Sequence, residues 1–243
     1  MDAGFRFDVV VYSPKLIPSP TVEIQLRRLR RDGVPTLRVA PEDFRKISTA
    51  PRASGVAALV RERWRPPGEV DPQAGLCLLA IESLRSAGNL GTILRTAEAC
   101  GVGGVFFTDD GWDPYEPDVV RASMGGMFHL PLARTDGAEL ARWCRERGVA
   151  LVGLSPEATQ LWTDLPRDRP TCLVIGEERQ GISASLNGRC DMHVRLPMAG
   201  TADSLNVAVA TGIALYEFMR RALHAKGMTP RKRCTTRGSR QVP

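Results

Sequence analysis

A chain of 243 residues is long enough for one large domain, or for a domain of roughly 150 residues with a smaller module beside it. Hydrophobic residues at 43% and charged residues at 25% are ordinary for a globular protein in water. The longest purely apolar stretches, such as Leu76–Ile81, fall far short of the roughly 20 residues that span a bilayer, which excludes a helical membrane protein. The net charge of +6 is unevenly spread. Residues 1–65 hold 13 Lys and Arg against 7 Asp and Glu, residues 66–225 hold 14 against 20, and residues 226–243 hold six basic residues and no acid. Positive ends around an acidic middle suit a polyphosphate partner.

In chain order, Met1–Val11 carries acids and lacks a basic flank leading into an apolar core, so it does not read as a signal peptide, and a cytoplasmic location is expected. Asp8–Tyr12 reads as a strand, Thr21–Arg31 as a helix stopped by Asp32-Gly33, Thr36–Val39 as a strand, Pro41–Ile47 as a short helix and Gly55–Val60 as a strand. Arg27, Arg28, Arg30 and Arg31 form the densest basic cluster and are candidate RNA contacts, with Arg121 further along. Residues 66–72, rich in proline and glycine, read as a linker.

Beyond it the pattern becomes regular. Strands are expected at 76–82, 104–108, 129–133, 150–154, 171–176 and 192–196, with helices at 90–100, 117–124, 137–147 and 205–224. Strands alternating with helices imply an α/β domain with a parallel sheet over residues 73–226. Residues from about 227 onward read as a basic, flexible tail. The six cysteines form no C-x-x-C pair, so a reduced and mostly buried state is expected, and no metal site. The three histidines, His129, His193 and His224, sit in strand or helix patterns and read as structural. Neither a G-x-G-x-x-G fingerprint nor a P-loop is present.

Three segments carry chemistry. In Asn89-Leu90-Gly91-Thr92-Ile93-Leu94-Arg95, Leu90, Ile93 and Leu94 share one helical face and Arg95 points off it, towards the cleft at the strand ends; Asn89 is placed to cap the helix. Gly176-Glu177-Glu178-Arg179-Gln180-Gly181 follows an apolar strand, and its glycines allow a tight turn and close approach to a ligand. Leu196-Pro197-Met198 leads through a small-residue loop to Ser204-Leu205-Asn206 and a helix apolar nearly all round, expected to be buried, with polar groups at its entry that need partners.

The order N-x-G-x-x-x-R, then G-x-E-x-x-G, then L-P-M followed by S-L-N-V-x-x-A resembles the SpoU/TrmH branch of the SPOUT RNA methyltransferases across residues 76–226. The resemblance implies a parallel α/β domain with a C-terminal deep trefoil knot, a feature nearly absent from other folds. It implies a homodimer, S-adenosyl-L-methionine as cofactor, RNA as partner, and methylation of a ribose 2′-hydroxyl without a metal. By motif position Gly153, Leu154, Gly176, Leu196, Met198 and Leu205 contact the cofactor, while Asn89, Arg95, Glu178, Ser204 and Asn206 are catalytic or face the substrate. Residues 1–65 match the later part of the small RNA-binding domain that many relatives carry, without its front portion. Glu177 departs from the family pattern, which has a small amide or hydroxyl residue there. Guanidinium stays charged in proteins, so Arg95 is read as a stabiliser of the developing alkoxide and an adjacent phosphate. The basic module favours ribosomal RNA; transfer RNA, or a non-catalytic RNA-binding protein on a relic of the fold, remain open.

Overall fold

The computed structural model describes residues 4–50, 52–109, 111, 113–165 and 168–226; the expected tail lies outside them. The first module begins with strand β1 (Phe7–Tyr12), followed by helix α1 (Pro20–Arg31), strand β2 (Thr36–Arg38), helix α2 (Pro41–Ile47) and strand β3 (Val56–Val60). The strands form a sheet in the order β2-β1-β3, with β2 parallel and β3 antiparallel to β1. Ser19 caps α1 by accepting from the Thr21 N–H at 3.3 Å, and Pro20 sits at its first position, where a missing N–H costs nothing. Alternate residues of β1, Val10 and Tyr12, meet Leu26 and Leu29 one turn apart on α1, and these four make the module's core.

Residues 63–65, just before the segment expected to be a linker, are held by the rest of the chain. The Arg65 N–H donates to the Leu132 carbonyl at 2.7 Å. The Tyr115 hydroxyl accepts from the Arg63 N–H at 3.0 Å and donates to its carbonyl at 2.8 Å. Trp64 packs edge-on against Phe107 and Tyr115 under the Arg134 guanidinium, and Val70 is buried.

That sheet has seven strands, every adjacent pair parallel. Its elements are β4 (Leu78–Ile81), α3 (Ala87–Ala99), β5 (Val105–Phe107), α4 (Pro117–Ala122), β6 (Leu132–Arg134), α5 (Gly137–Glu146), β7 (Ala150–Leu154), β8 (Gln160–Leu161), β9 (Thr171–Ile175), α6 (Ala184–Asn187), β10 (Met192–Arg195) and α7 (Val207–Lys226). The strand order is β6-β5-β4-β9-β7-β10-β8. Strands β9 and β10, late in the chain, thus lie inside the sheet, an order consistent with a threaded C-terminal segment. Successive residues of the buried strands serve opposite faces. Leu79, Ile81, Val105, Phe107, Leu173 and Ile175 pack under α3, α4 and α7. Leu78, Ala80, Phe106, Cys172 and Val174 pack under α5 and α6. The parallel sheet is covered on both sides, as βαβ crossovers require.

Four local expectations are corrected. Residues 129–133 are not one strand: Gly126–His129 is a short 3-10 turn and β6 starts only at Leu132, because Pro131 lacks an N–H for the ladder. Ser86, not Asn89, caps α3, its hydroxyl accepting from the Asn89 N–H at 3.2 Å. The last helix starts at Val207, capped by Asn206, whose Oδ1 accepts from the N–H groups of Ala208 and Val209 at 2.9 and 3.3 Å. Nor is that helix buried all round, since Val209, Ile213 and Tyr216 are 51%, 41% and 55% exposed. The short elements β8 and α6, of two and four residues, carry too little periodicity to be read in advance.

Candidate cofactor and substrate site

The three motifs meet at the carboxyl ends of β4, β7, β9 and β10, where open parallel sheets bind ligands. A cavity of about 550 Å³ is lined by Leu154, Gly176, Glu178, Leu196, Met198, Ser204 and Leu205, among others. Five of the six residues expected to hold a cofactor therefore face one space. The sixth, Gly153, does not line it. A Cβ there would lie 2.6 Å from His193 Cδ2, so glycine is needed where β7 packs on β10.

The turn after β9 is closed by reciprocal backbone bonds between Glu177 and Gly181, at 3.0 and 2.9 Å. A Cβ on Gly176 would fall 2.1 Å from the Gly181 carbonyl oxygen, so only glycine allows this closure. Glu177 is buried. Its Oε2 accepts from the Gln180 N–H at 2.7 Å, and its Oε1 lies 2.9 Å from Arg85 Nε. Its neighbour Glu178 is exposed and anchors a chain of polar contacts. Asn89 Nδ2 donates to Glu178 Oε1 at 2.8 Å, Asn206 Nδ2 donates to Asn89 Oδ1 at 3.2 Å, and the Arg85 N–H donates to Glu178 Oε2 at 3.3 Å. Burial pushes the Glu178 carboxyl up, but the bonds from Asn89 and from backbone N–H groups, with the Arg85 charge, outweigh it and hold the group below its usual range.

Glu178 lines the first cavity. Asn89 and Asn206 line a second, of about 660 Å³, that runs between α3 and α7 past Thr92, Thr96, Trp162, Val209, Ile213 and Tyr216. The Asn206–Asn89–Glu178 chain thus forms part of the wall between the two spaces. Ser204 lies on the first cavity without capping α7.

Arg95 is not brought to either cavity. It is exposed on α3, where the loop after α4 packs so closely that a Cβ on Gly126 would come 3.1 Å from Arg95 Cα. Of the other arginines, Arg27 and Arg28 are exposed. Arg30 is engaged inside its module, donating to the Tyr12 hydroxyl and to Thr36 Oγ1 while lying over the Tyr12 ring. Arg31 lies 3.8 Å from Asp32, and Arg121 pairs with Asp118. Sequence reasoning passed over Arg85, and the only signal pointing to it was the unexpected acid at Glu177.

The SpoU rRNA Methylase family model matches residues 77–216, and the chain belongs to that family. It is 37% identical over 196 residues to an uncharacterized tRNA/rRNA methyltransferase of Synechocystis, covering 79% of this chain and 70% of the relative. It is 38% identical over 144 residues to the 23S rRNA (guanosine-2′-O-)-methyltransferase RlmB of Pseudomonas aeruginosa, covering 59% of this chain and 58% of that one. The AdoMet-bound rRNA methyltransferase of Sinorhizobium meliloti superposes with a TM-score of 0.80 at 32% identity, over 90% of this chain and 82% of the other.

Proposed function

We propose that this protein is an S-adenosylmethionine-dependent methyltransferase of ribose 2′-hydroxyls in RNA, with ribosomal RNA as its substrate. The observation that carries this reading is the Asn206–Asn89–Glu178 chain, built from all three motifs, in the wall of a cavity of ligand size. The cavity suits the cofactor. Leu154, Leu196 and Leu205 offer apolar surface for a purine, Glu178 offers an acceptor, and the glycine turn permits close backbone approach. When bound, the cofactor supplies a methyl group already activated on a sulfonium.

The protein then has to align the ribose oxygen and stabilise its charge, and alignment alone can supply several kcal/mol. A carboxylate held below its usual range is a poor proton sink but a strong acceptor, so Glu178 orients the ribose hydroxyl while Asn89 and Asn206 fix Glu178. Arg95 keeps its charge and serves the developing alkoxide and a neighbouring phosphate. Because it lies off both cavities, that role needs a bound RNA or a second protomer to complete the site. A homodimer formed over the exposed face of α7 is part of this reading, as are a knotted C-terminal path, a cytoplasmic setting and RNA contacts from Arg27, Arg28 and Arg31 of a basic module spanning residues 1–65. The intact polar chain speaks against a relic without catalysis. The test is tritium transfer from labelled cofactor to ribosomal and transfer RNA, with mapping of 2′-O-methyl positions. Label on a base, or none on either RNA, would overturn the proposal, and label on transfer RNA alone would replace the substrate.

A further inference from the structure

We infer that Arg85 and Glu177 form a positioning pair that sets the pose of Glu178, and through it of Asn89, for methyl transfer. The inference rests on the functional reading above. Arg85 touches both acids of the turn. Its Nε lies 2.9 Å from Glu177 Oε1, and its backbone N–H donates to Glu178 Oε2 at 3.3 Å. The Glu177 side chain is 4% exposed, whereas that of Arg85 is 65% exposed. A carboxylate taken out of water needs compensation. Here Oε2 is satisfied by the Gln180 N–H at 2.7 Å, while Oε1 makes no aligned hydrogen bond and has the Arg85 charge beside it.

Glu177 and Glu178 are adjacent in a turn whose closure leaves no room for a Cβ at Gly176. A rotation that let an uncompensated Glu177 reach water would therefore carry Glu178 with it. Glu178 in turn holds Asn89 at 2.8 Å, and Asn89 holds Asn206 at 3.2 Å. This chain sets a buried acid in the turn after β9 against an arginine on the loop after β4. The pair ties the loop that opens α3 to the turn beneath the cofactor cavity.

The experiment compares wild type with Arg85→Ala, Arg85→Lys, Glu177→Gln and the double variant Arg85→Ala/Glu177→Gln. Each is measured for S-adenosylhomocysteine affinity by calorimetry, for melting midpoint, and for kcat and KM of methyl transfer to RNA. Arg85→Ala should lower kcat by roughly tenfold or more while changing S-adenosylhomocysteine affinity by less than about threefold, since Arg85 does not line the cavity. Arg85→Lys keeps the charge and should retain most of the rate. Removing the buried charge should rescue the defect, so the double variant should run at least about fivefold faster than Arg85→Ala. A merely structural role would show its loss and its rescue in the melting midpoint, so the deciding readout is kcat at an unchanged midpoint. The inference is overturned if Arg85→Ala turns over like wild type, if the double variant is as slow as the single, or if the loss of rate only follows a fall in the melting midpoint. Wild type that binds no S-adenosylhomocysteine would instead sink the functional reading, which separates the two failures.

Discussion

Glu217 should contribute stability that disappears in acid, and the structure sets the amount. Its side chain is 2% exposed in the middle of α7. It receives Arg220 through Nε and Nη2 at 2.5 and 2.7 Å and Arg221 through Nε at 2.8 Å. Arg221 in turn donates to the carbonyls of Thr163 and Leu165 at 2.6 and 3.2 Å, tying the helix to the segment before β9. The Arg220 hydrogen bond, opposed by burial and reinforced by Arg221, lowers the Glu217 carboxyl from 4.5 to about 2. At about 1.36 kcal/mol per unit this corresponds to about 3 kcal/mol. Since Arg220 is half exposed, solvent screening reduces it to about 2 kcal/mol. The folded-state value is depressed, so the contribution is fully present above pH 4.5 and is lost as pH falls towards 2. Glu217→Gln should be less stable than wild type by about 2 kcal/mol at pH 7 in urea unfolding, and the gap should shrink by about half or more by pH 3. Both proteins must be compared at one concentration, because a dimer couples stability to mass action. A gap that is absent at pH 7, or that persists unchanged to pH 3, would refute the reasoning.

Three further outcomes can be checked on the same material. Gly176→Ala sets a Cβ against a backbone oxygen 2.1 Å away; the turn must open, and calorimetry should show S-adenosylhomocysteine affinity reduced by about tenfold or more. Ile213→Asp places a charge on the exposed face of α7, and light scattering should show a mass near 26.5 kDa where wild type gives about twice that; a monomeric wild type would remove the dimer from the reading. Arg95→Ala should cost about 2–4 kcal/mol of transition-state stabilisation in single-turnover transfer while Arg95→Lys keeps part of the rate, and a wild-type rate in the alanine variant would cancel its assigned role.

Much of this molecule was legible in its sequence, for identifiable reasons. The strands of the second sheet are buried on both faces, so they stand out as apolar runs such as Leu78–Ile81 and Thr171–Ile175. Asn89, Glu178 and Asn206 were legible because each sits just past a strand end or at a helix start, where turn chemistry limits the choice of residue. What failed was local or non-local in a definite way. Ser86 and Asn89 are both good caps three residues apart, and only the helix start at Ala87 decides between them. The tight fit at Gly153 was not legible, because the neighbour that sets it is His193, 40 positions away on β10.

The exposed face of α7 carries the same lesson into function. A helix apolar nearly all round reads as buried, yet the single chain leaves Val209, Ile213 and Tyr216 open, in the groove that also holds Asn89 and Asn206. Small residues on the opposite face, Ala208, Thr211 and Ala214, are consumed by packing within the chain. Apolar surface of this extent is costly to leave in water, and a second copy of the same helix would remove it. The polar chain Asn206–Asn89–Glu178 would then lie close to that junction, because Asn206 caps the very helix that forms it. Assembly and alignment of the reacting groups would rest on one element, so a substitution on α7 that splits the dimer should also slow methyl transfer without emptying the cofactor cavity.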